Sequence, residues 1–207
     1  MRMLLRTCGE LSVTGGLVML LFCAYLLWGT SSYTEWYQSL LKRRLLETSK
    51  VVHHGGKLSK IDLGDAVALI RIPRLGRDYE YAVLEGVTAE DLRRGPGHYP
   101  GTARPGAVGN FVLSGHRTTY AAPFNRIDEL RRGDEIVVEA PEARYTYRVS
   151  GKSVVDPSQV EVIAPVPGHP GRRPSEAMIT LTTCHPEYSA RQRLVVYGVL
   201  AGTRERR

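Results

Sequence analysis

The sequence predicts an all-β domain, a barrel or a sandwich, that follows one membrane-spanning helix. Three observations support this fold class. Short apolar runs bounded by glycine and proline turns recur after residue 65, little helical periodicity separates them, and a long uncharged segment lies near the N-terminus. Short strands at such spacing, with little helix between them, are typical of barrels and sandwiches.

The uncharged N-terminal segment predicts a membrane anchor. No charged residue occurs between residues 11 and 34, and a helix needs about 20 apolar residues to cross a bilayer. We predict a cytoplasmic tail at residues 1–10 and an anchor at 11–33, with Arg2 and Arg6 favouring a cytoplasmic N-terminus. A cleaved signal peptide is the alternative. Either interpretation places the folded domain outside the cell, and the anchor makes the chain a single-pass protein of the cell membrane.

A linker and one folded domain are predicted after the anchor. Residues 34–64 show loose helical spacing that His53-His54-Gly55-Gly56 interrupts, so we predict a juxtamembrane linker there, without metal binding by the histidines. The folded domain is expected over residues 65–203. A domain of this length buries about two thirds of its unfolded surface and needs no disulfide to hold a core.

The first strands are marked by the residues that end them. Residues 66–72 are apolar and stop at Pro73, and residues 80–84 form a second run. Residues 96–101, with the sequence PGHYPG, are predicted as a loop, and the next strand follows at 109–113.

The middle of the domain is predicted to contain a hairpin. Residues 123–130 suit one or two helical turns, and strands at 135–139 and 144–150 flank the turn at 140–143. Residues 154–155 are predicted as a separate short strand.

The last two strands, at residues 177–183 and 194–200, follow a loop rich in proline and glycine at 164–175. Alternation along the first of them puts Ile179 and Leu181 on the core face, and Cys184 on the opposite face at the strand end.

Charge and cysteine content narrow the functional class. The net charge of +7 suits anionic cell-surface polymers or lipid head groups. Nucleic acid is not expected as a partner, because the chain has no basic helix, stacking motif or zinc-ligand spacing. Cys8 and Cys23 lie in or beside the apolar segment, so Cys184 is the only cysteine of the folded domain. Such a thiol is either buried and structural or reactive.

Three residues together provide the groups needed for thiol acyl transfer. If the last two strands are neighbours, Arg193 comes close to Cys184, where its guanidinium could stabilise an oxyanion. His116, between Gly115 and Arg117, is the best candidate for the acid and base. Each residue alone also suits an ordinary structural role. His185 is a rival base that points to the opposite side of the strand.

Two further histidines are predicted to be solvated rather than functional. His98 and His169 both lie in segments rich in glycine and proline. We expect no metal and no cofactor, since no dense carboxylate cluster lies near the predicted site.

Two segments of the sequence resemble the signature blocks of sortases, the cysteine transpeptidases of Gram-positive bacteria. These segments are LSGHRTTYAAPFNRIDEL and TLTTCHPEYSARQRLVVYGVL, and the resemblance extends over residues 65–200. The combination of HRTTY, TLTTCHP and a short loop from the cysteine to the arginine is most similar to class E sortases of actinobacteria.

The resemblance implies an eight-stranded sortase β-barrel and a role for each matching residue. It implies that Cys184 is the nucleophile, His116 the acid and base, and Arg193 the arginine on the oxyanion side, with Arg191 as the rival for Arg193. The remaining candidates are predicted to contact substrate: Ser114, Tyr120, Thr182 and Thr183.

The resemblance also implies a substrate and a partner. A secreted protein with a C-terminal LAxTG or LPxTG sorting signal would be cleaved between threonine and glycine, and joined to an amine of a lipid-linked peptidoglycan precursor. One alternative is a pilus-assembling sortase with a lysine acceptor, although residues 30–65 lack the Asp-Pro-aromatic motif of many pilin-class lids. Another is a catalytically silent, membrane-tethered peptide-binding domain.

Overall fold

The computed structural model describes residues 2–25, 29–53 and 66–205 of the chain. Three α-helices occur in this part, α1 (Arg2–Ala24), α2 (Thr30–His53) and α3 (Ala89–Arg94), together with three short 3-10 helices. The strands are β1 (Ala66–Arg71), β2 (Glu80–Glu85), β3 (Gly97–His98), β4 (Gly109–Ser114), β5 (Glu135–Glu139), β6 (Ala143–Val155), β7 (Ala177–His185) and β8 (Gln192–Glu205).

The eight strands form one closed barrel in the order β1-β2-β3-β4-β7-β8-β6-β5. The pairs β2–β3 and β4–β7 are parallel, whereas β7–β8 and β6–β8 are antiparallel. Closure pairs the strand edges with one another, so the sheet offers no long open edge. The predicted eight-stranded barrel is confirmed.

The core follows the alternation that the sequence predicts. Ile179 and Leu181 of β7 are fully buried and belong to the main apolar cluster, together with Phe111 and Leu113 of β4 and Val196 of β8. Full burial of one such side chain stabilises the fold by roughly 1.5–3 kcal/mol. This core holds β4, β7 and β8 in place, and these strands carry the candidate site.

Strand β3 lies where the sequence predicts only a loop. A strand of two residues is too short to show the alternation from which strands are predicted. Its residue Gly97 pairs with Leu84 on one side and Ser114 on the other. A Cβ at Gly97 would lie 2.0 Å from the Gly86 carbonyl oxygen, so the close approach requires glycine. Strand β6 is continuous where two strands were predicted, and its register shifts between Val149 and Gly151.

Helix α2 packs against the barrel through one face, which carries both polar and apolar side chains. Its buried side chains recur every three or four residues, at Thr30, Thr34, Gln38, Leu41 and Leu45. Leu41 and Leu45 form a second apolar cluster with residues of β1 and β2. Residues 34–53, predicted as part of a linker, are therefore a docked helix, and residues 54–64 of that linker lie outside the described residues.

Helix α1 includes a stretch, Arg6–Ala24, that is long and apolar enough to cross a membrane. The stretch has 19 residues, and within the described chain no other segment buries its most apolar part. Residues 30–33, predicted as the end of the anchor, lie instead at the start of α2.

Candidate active site

The ends of β4 and β7 bring two of the predicted residues to the same edge of the barrel. These strands run parallel, with Ser114 opposite Thr182, so His116 and Cys184 each follow two residues later. The Gly115 N–H donates to the Thr182 carbonyl at 3.2 Å, which extends the pairing beyond β4. The parallel register therefore places the imidazole-bearing and thiol-bearing segments side by side.

Cys184 lies directly opposite Arg193 in the antiparallel β7–β8 pair. Directly opposite residues have Cβ atoms about 4.5–5.5 Å apart. The Cys184 thiol is half-buried, and Arg193 Nη1 donates to the carbonyls of Ala190 and Gln192 at 3.1 and 3.0 Å. These bonds hold the guanidinium at the start of β8.

The rival Arg191 does not share this position. It precedes the first residue of β8, and its backbone N–H donates to Ser189 Oγ at 3.3 Å. Its side chain is exposed, and its place in the chain lies beyond the β7–β8 ladder. The cross-strand register thus favours Arg193 as the arginine beside Cys184.

His116 is half-buried, and its ring lies against that of Tyr120. The two ring centroids are 5.0 Å apart, and Arg93 Cζ of α3 lies 5.8 Å from the Tyr120 ring centroid. Burial lowers the pKa of His116, and the positive charge of Arg93 lowers it further. The neutral imidazole is consequently favoured in the folded chain.

Gly115 lets the main chain approach Phe124 beside His116. A Cβ on Gly115 would lie 2.7 Å from Phe124 Cδ2, and the Phe124 side chain is fully buried. The Phe124 N–H donates to the His116 carbonyl at 3.0 Å. The backbone of His116 is therefore fixed by packing on one side and by a hydrogen bond on the other.

A left-handed turn follows the histidine. Residues 120–122 have φ of 52°, 58° and 42°, a conformation that costs each non-glycine residue about 1–2 kcal/mol. Two partly buried tyrosines, one in β2 and one in the preceding loop, hold the turn. Tyr81 Oη donates to the Ala121 carbonyl at 3.1 Å, and Tyr79 Oη donates to the Pro123 carbonyl at 2.6 Å. The turn presents Tyr120 to His116.

The predicted substrate-contact residues differ in exposure. Thr182 and Thr183 are 6% and 2% exposed, and Thr183 Oγ1 donates to the Gly115 carbonyl at 2.8 Å. Ser114 and Tyr120 are partly exposed. Thr183 thus ties β7 to the His116 segment, and the contact of all four with substrate stays a prediction.

Arg117 is a residue of this site to which the sequence analysis gave no role. Its side chain is 6% exposed, and Nη1 donates to the Cys184 carbonyl at 3.3 Å and to His185 Nδ1 at 2.9 Å. Its Nη2 lies 3.4 Å from Asp128 Oδ2. Because guanidinium groups only donate, the bond requires a lone pair on His185 Nδ1, so that nitrogen is engaged and unavailable as the base.

The prediction that His98 is solvated is wrong. His98 is 3% exposed, with Nδ1 2.8 Å from Glu85 Oε2 and Nε2 2.9 Å from Thr102 Oγ1. Strand β3 carries it into the barrel wall, which a glycine- and proline-rich sequence does not reveal. His169 is exposed, as predicted. Among the described residues, no group of three or more His, Cys, Asp or Glu side chains could hold a metal ion.

Comparison with known proteins identifies the family of the barrel. A family model described as the sortase domain matches residues 70–201. Sortase SrtE1 of Streptomyces coelicolor is 36% identical over 211 residues, which cover 97% of this chain and 58% of that protein. The chain therefore spans just over half the length of this curated relative.

Two solved structures show the same architecture. Sortase E1 from Streptomyces coelicolor, with a tripeptide in the active site, is 39% identical with a TM-score of 0.64, and the match covers 69% of this chain and 92% of that one. The SrtF sortase from Corynebacterium diphtheriae is 31% identical with a TM-score of 0.67, and the match covers 70% and 88%. The resemblance to sortases, and to class E among them, is confirmed.

Proposed function

The chain belongs to the sortase family, and from this premise we propose that it is a membrane-anchored cysteine transpeptidase that joins secreted proteins to the cell wall. The observation that carries the proposal is the cross-strand pair of Cys184 with Arg193, beside the segment that bears His116. A thiol, an imidazole and a guanidinium at one barrel edge are the groups that acyl transfer requires.

In the first half-reaction, the Cys184 sulfur attacks the carbonyl carbon of the threonine in a sorting signal such as LAxTG or LPxTG. Arg193 stabilises the negative charge on the carbonyl oxygen. The Cys184 thiol gives its proton to His116 as the sulfur attacks. The bond between threonine and glycine breaks, His116 passes that proton to the leaving glycine amine, and a thioester joins the substrate to Cys184.

In the second half-reaction, an amine of a lipid-linked peptidoglycan precursor attacks the thioester carbonyl. His116 takes a proton from that amine and returns it to the sulfur as the bond between carbon and sulfur breaks. A new amide bond then joins the secreted protein to the precursor. The lowered pKa of His116 suits this step, because the neutral imidazole is the form that accepts a proton.

A peptide substrate is supported by a relative. The matched sortase E1 structure from Streptomyces coelicolor holds a tripeptide in its active site. In this chain, the partly exposed Ser114 and Tyr120 and the wall around Thr182 and Thr183 would contact the sorting signal. The Tyr120 ring lies against the imidazole of His116, with ring centroids 5.0 Å apart.

The location of the chain is part of the proposal. The apolar helix α1 would cross the cell membrane once, and the barrel would lie on the extracellular side, where secreted proteins and wall precursors meet. The docked helix α2 begins six residues after the candidate span, at Thr30, so it would hold the barrel close to the membrane surface.

The test uses the full chain in detergent micelles, because α2 packs against the barrel and a shortened chain would lose its contacts. The chain is incubated with LAxTG and LPxTG peptides and a small amine, and products are identified by mass spectrometry. We expect cleavage between threonine and glycine and a new amide to the amine. Failure to cleave either peptide would contradict the proposed substrate class.

A further inference from the structure

We propose that Arg117 is a positioning residue, which holds the peptide of Cys184 in a fixed place relative to His116. The proposal rests on the function proposed above, since it assigns a role within that site. Arg117 directly follows His116 in the chain, while its guanidinium contacts the carbonyl of Cys184, 67 residues away. One residue therefore couples the segment of the base to the segment of the nucleophile.

The contacts of Arg117 converge on the end of β7. Its Nη1 donates to the Cys184 carbonyl at 3.3 Å and to His185 Nδ1 at 2.9 Å. A guanidinium is planar and rigid, and its Nη2 faces Asp128, so the two bonds from Nη1 fix the position of the strand end. This is the point at which β7 leaves the barrel and the thiol must face the substrate.

The environment of Arg117 is costly for a cation. The side chain is 6% exposed, and its ion pair is with the half-exposed Asp128 at 3.4 Å. Within the described residues its buried Nε has no hydrogen-bond partner. Burial of a guanidinium costs desolvation free energy, which an ion pair with an exposed carboxylate offsets only in part. Fold stability alone therefore gives a weak reason for arginine at this position.

A second bond ties the same two segments together. Asn125 Nδ2 donates to the Arg117 carbonyl at 2.8 Å and to Glu187 Oε1 at 3.0 Å. Glu187 belongs to the loop between β7 and β8, three residues beyond Cys184. The side chain of Arg117 and its own carbonyl thus both connect to the chain around Cys184, as expected of a residue that sets the spacing between two groups.

The proposal is tested by the rate of thioester formation with an LAxTG or LPxTG peptide, measured for the full chain and for the Arg117→Met variant. Methionine keeps much of the volume and removes the donors. A misplacement of about 1 Å can cost about a hundredfold in rate, so we expect the acylation rate to fall by about tenfold to a hundredfold. The peptide KM should stay near its wild-type value. The lost bonds to the Cys184 carbonyl and His185 are expected to lower the melting temperature, so the rate is compared per folded chain.

Two more variants separate positioning from charge. Arg117→Lys keeps the positive charge but has one nitrogen on a shorter side chain, so it cannot bond the end of β7 and Asp128 together, and we expect it to restore little of the rate. Full rescue by lysine would overturn the proposal in favour of a charge effect. Asp128→Ala removes the exposed partner of Nη2, and we expect a smaller loss of rate in a chain that folds normally. This variant tests whether the placement of the Arg117 guanidinium matters even if Arg117→Met does not fold.

The matched control is Arg148→Met, which removes a surface arginine paired with Glu135 at 3.0 Å on β5, and should acylate like the wild type. The role of Arg117 would be overturned if the wild type forms the thioester and folded Arg117→Met forms it at the same rate. An unchanged rate in Asp128→Ala would also overturn it, and in both cases the proposed function would stand. No acylation by the wild type would contradict the proposed function, and the positioning role with it.

Discussion

Gln38 of α2 bonds both backbone groups of Ala82 on β2. Its Oε1 accepts from the Ala82 N–H at 2.7 Å, while its Nε2 donates to the Ala82 carbonyl at 3.0 Å and to the Arg94 carbonyl at 2.9 Å. A single side-chain amide thereby completes the hydrogen bonding of a buried strand residue and reaches the end of α3. Helix α2 is joined to the barrel by specific bonds as well as by leucine packing.

Gln38→Ala is expected to destabilise the chain. The substitution leaves the buried Ala82 N–H without its bond, and a buried unsatisfied group costs about 1–3 kcal/mol. In a chain of this size, each 1 kcal/mol lowers the melting temperature by about 2–4 °C. Thermal unfolding of the full chain in micelles measures the effect.

Ser39→Ala is the control for Gln38→Ala on the same helix. Ser39 is exposed and its hydroxyl bonds only the local Trp36 carbonyl among the bonds described for it, at 2.7 Å. Its melting temperature should match the wild type. Equal melting temperatures for the two variants would show that the Gln38 bonds do not hold α2 on the barrel.

Arg93→Gln is expected to move the pH dependence of the reaction upward. The positive charge of Arg93 opposes protonation of His116, so its removal raises the pKa of that imidazole toward its ordinary value. The limb of the pH–rate profile that reports His116 should shift to higher pH. The shift should shrink at high salt, because Arg93 is half-exposed and its charge is screened.

Arg74→Gln is the control for the effect of Arg93. It removes a surface charge that lies 4.0 Å from Asp134 and does not contribute to the lowered pKa of His116. Its pH–rate profile should coincide with that of the wild type. A profile of Arg93→Gln that stays in place or moves to lower pH would refute the electrostatic link.

Gly115→Ala is expected to impair the reaction more than it reduces the fraction of folded chain. The added Cβ would meet the ring of the buried Phe124 at 2.7 Å, so the backbone beside His116 must shift. Overpacking of this kind costs about 1–3 kcal/mol, and the displaced imidazole should lower the acylation rate. Peptide acylation and thermal unfolding measured together separate the two effects.

Gly202→Ala provides the matched control for Gly115→Ala. A Cβ at Gly202 meets nothing within 4 Å, and the residue lies near the end of β8, away from the candidate site. Its rate should equal that of the wild type. A Gly115→Ala chain that acylates at the wild-type rate would argue against a fixed His116 backbone.

Arg193→Ala and Arg191→Ala test which arginine serves the reaction. Loss of one oxyanion donor typically lowers the rate by about a hundredfold to a thousandfold, and we expect that loss for Arg193→Ala. Arg191 is exposed and precedes β8, so Arg191→Ala should change the rate little. The reverse order of effects, measured as acylation rates, would transfer the oxyanion role to Arg191.

The sequence predicts the parts of the site that depend on local pattern. Alternation along β7 places Leu181 in the core and Cys184 on the opposite face, and the short connection to β8 brings Arg193 opposite Cys184. His116 lies after β4, outside any strand or helix, so only the motif around it identifies it. The barrel follows from many short strands in series.

The remaining features depend on contacts that no local pattern contains. Strand β3 has two residues, and one of them, Gly97, is defined by the close approach of Gly86. Gln38 looks like a solvent-facing residue of a polar helix until Ala82 is placed beside it. Arg117 meets Cys184 only because β4 and β7 are parallel neighbours.

The most direct measurement is the mass of the full chain after incubation with a sorting-signal peptide and rapid acid quenching. Our account predicts an added mass equal to that of the peptide through its threonine less one water, located by fragmentation on Cys184 and absent from Cys184→Ala. Cleavage between threonine and glycine that persists in Cys184→Ala, or an adduct on another residue, would contradict it.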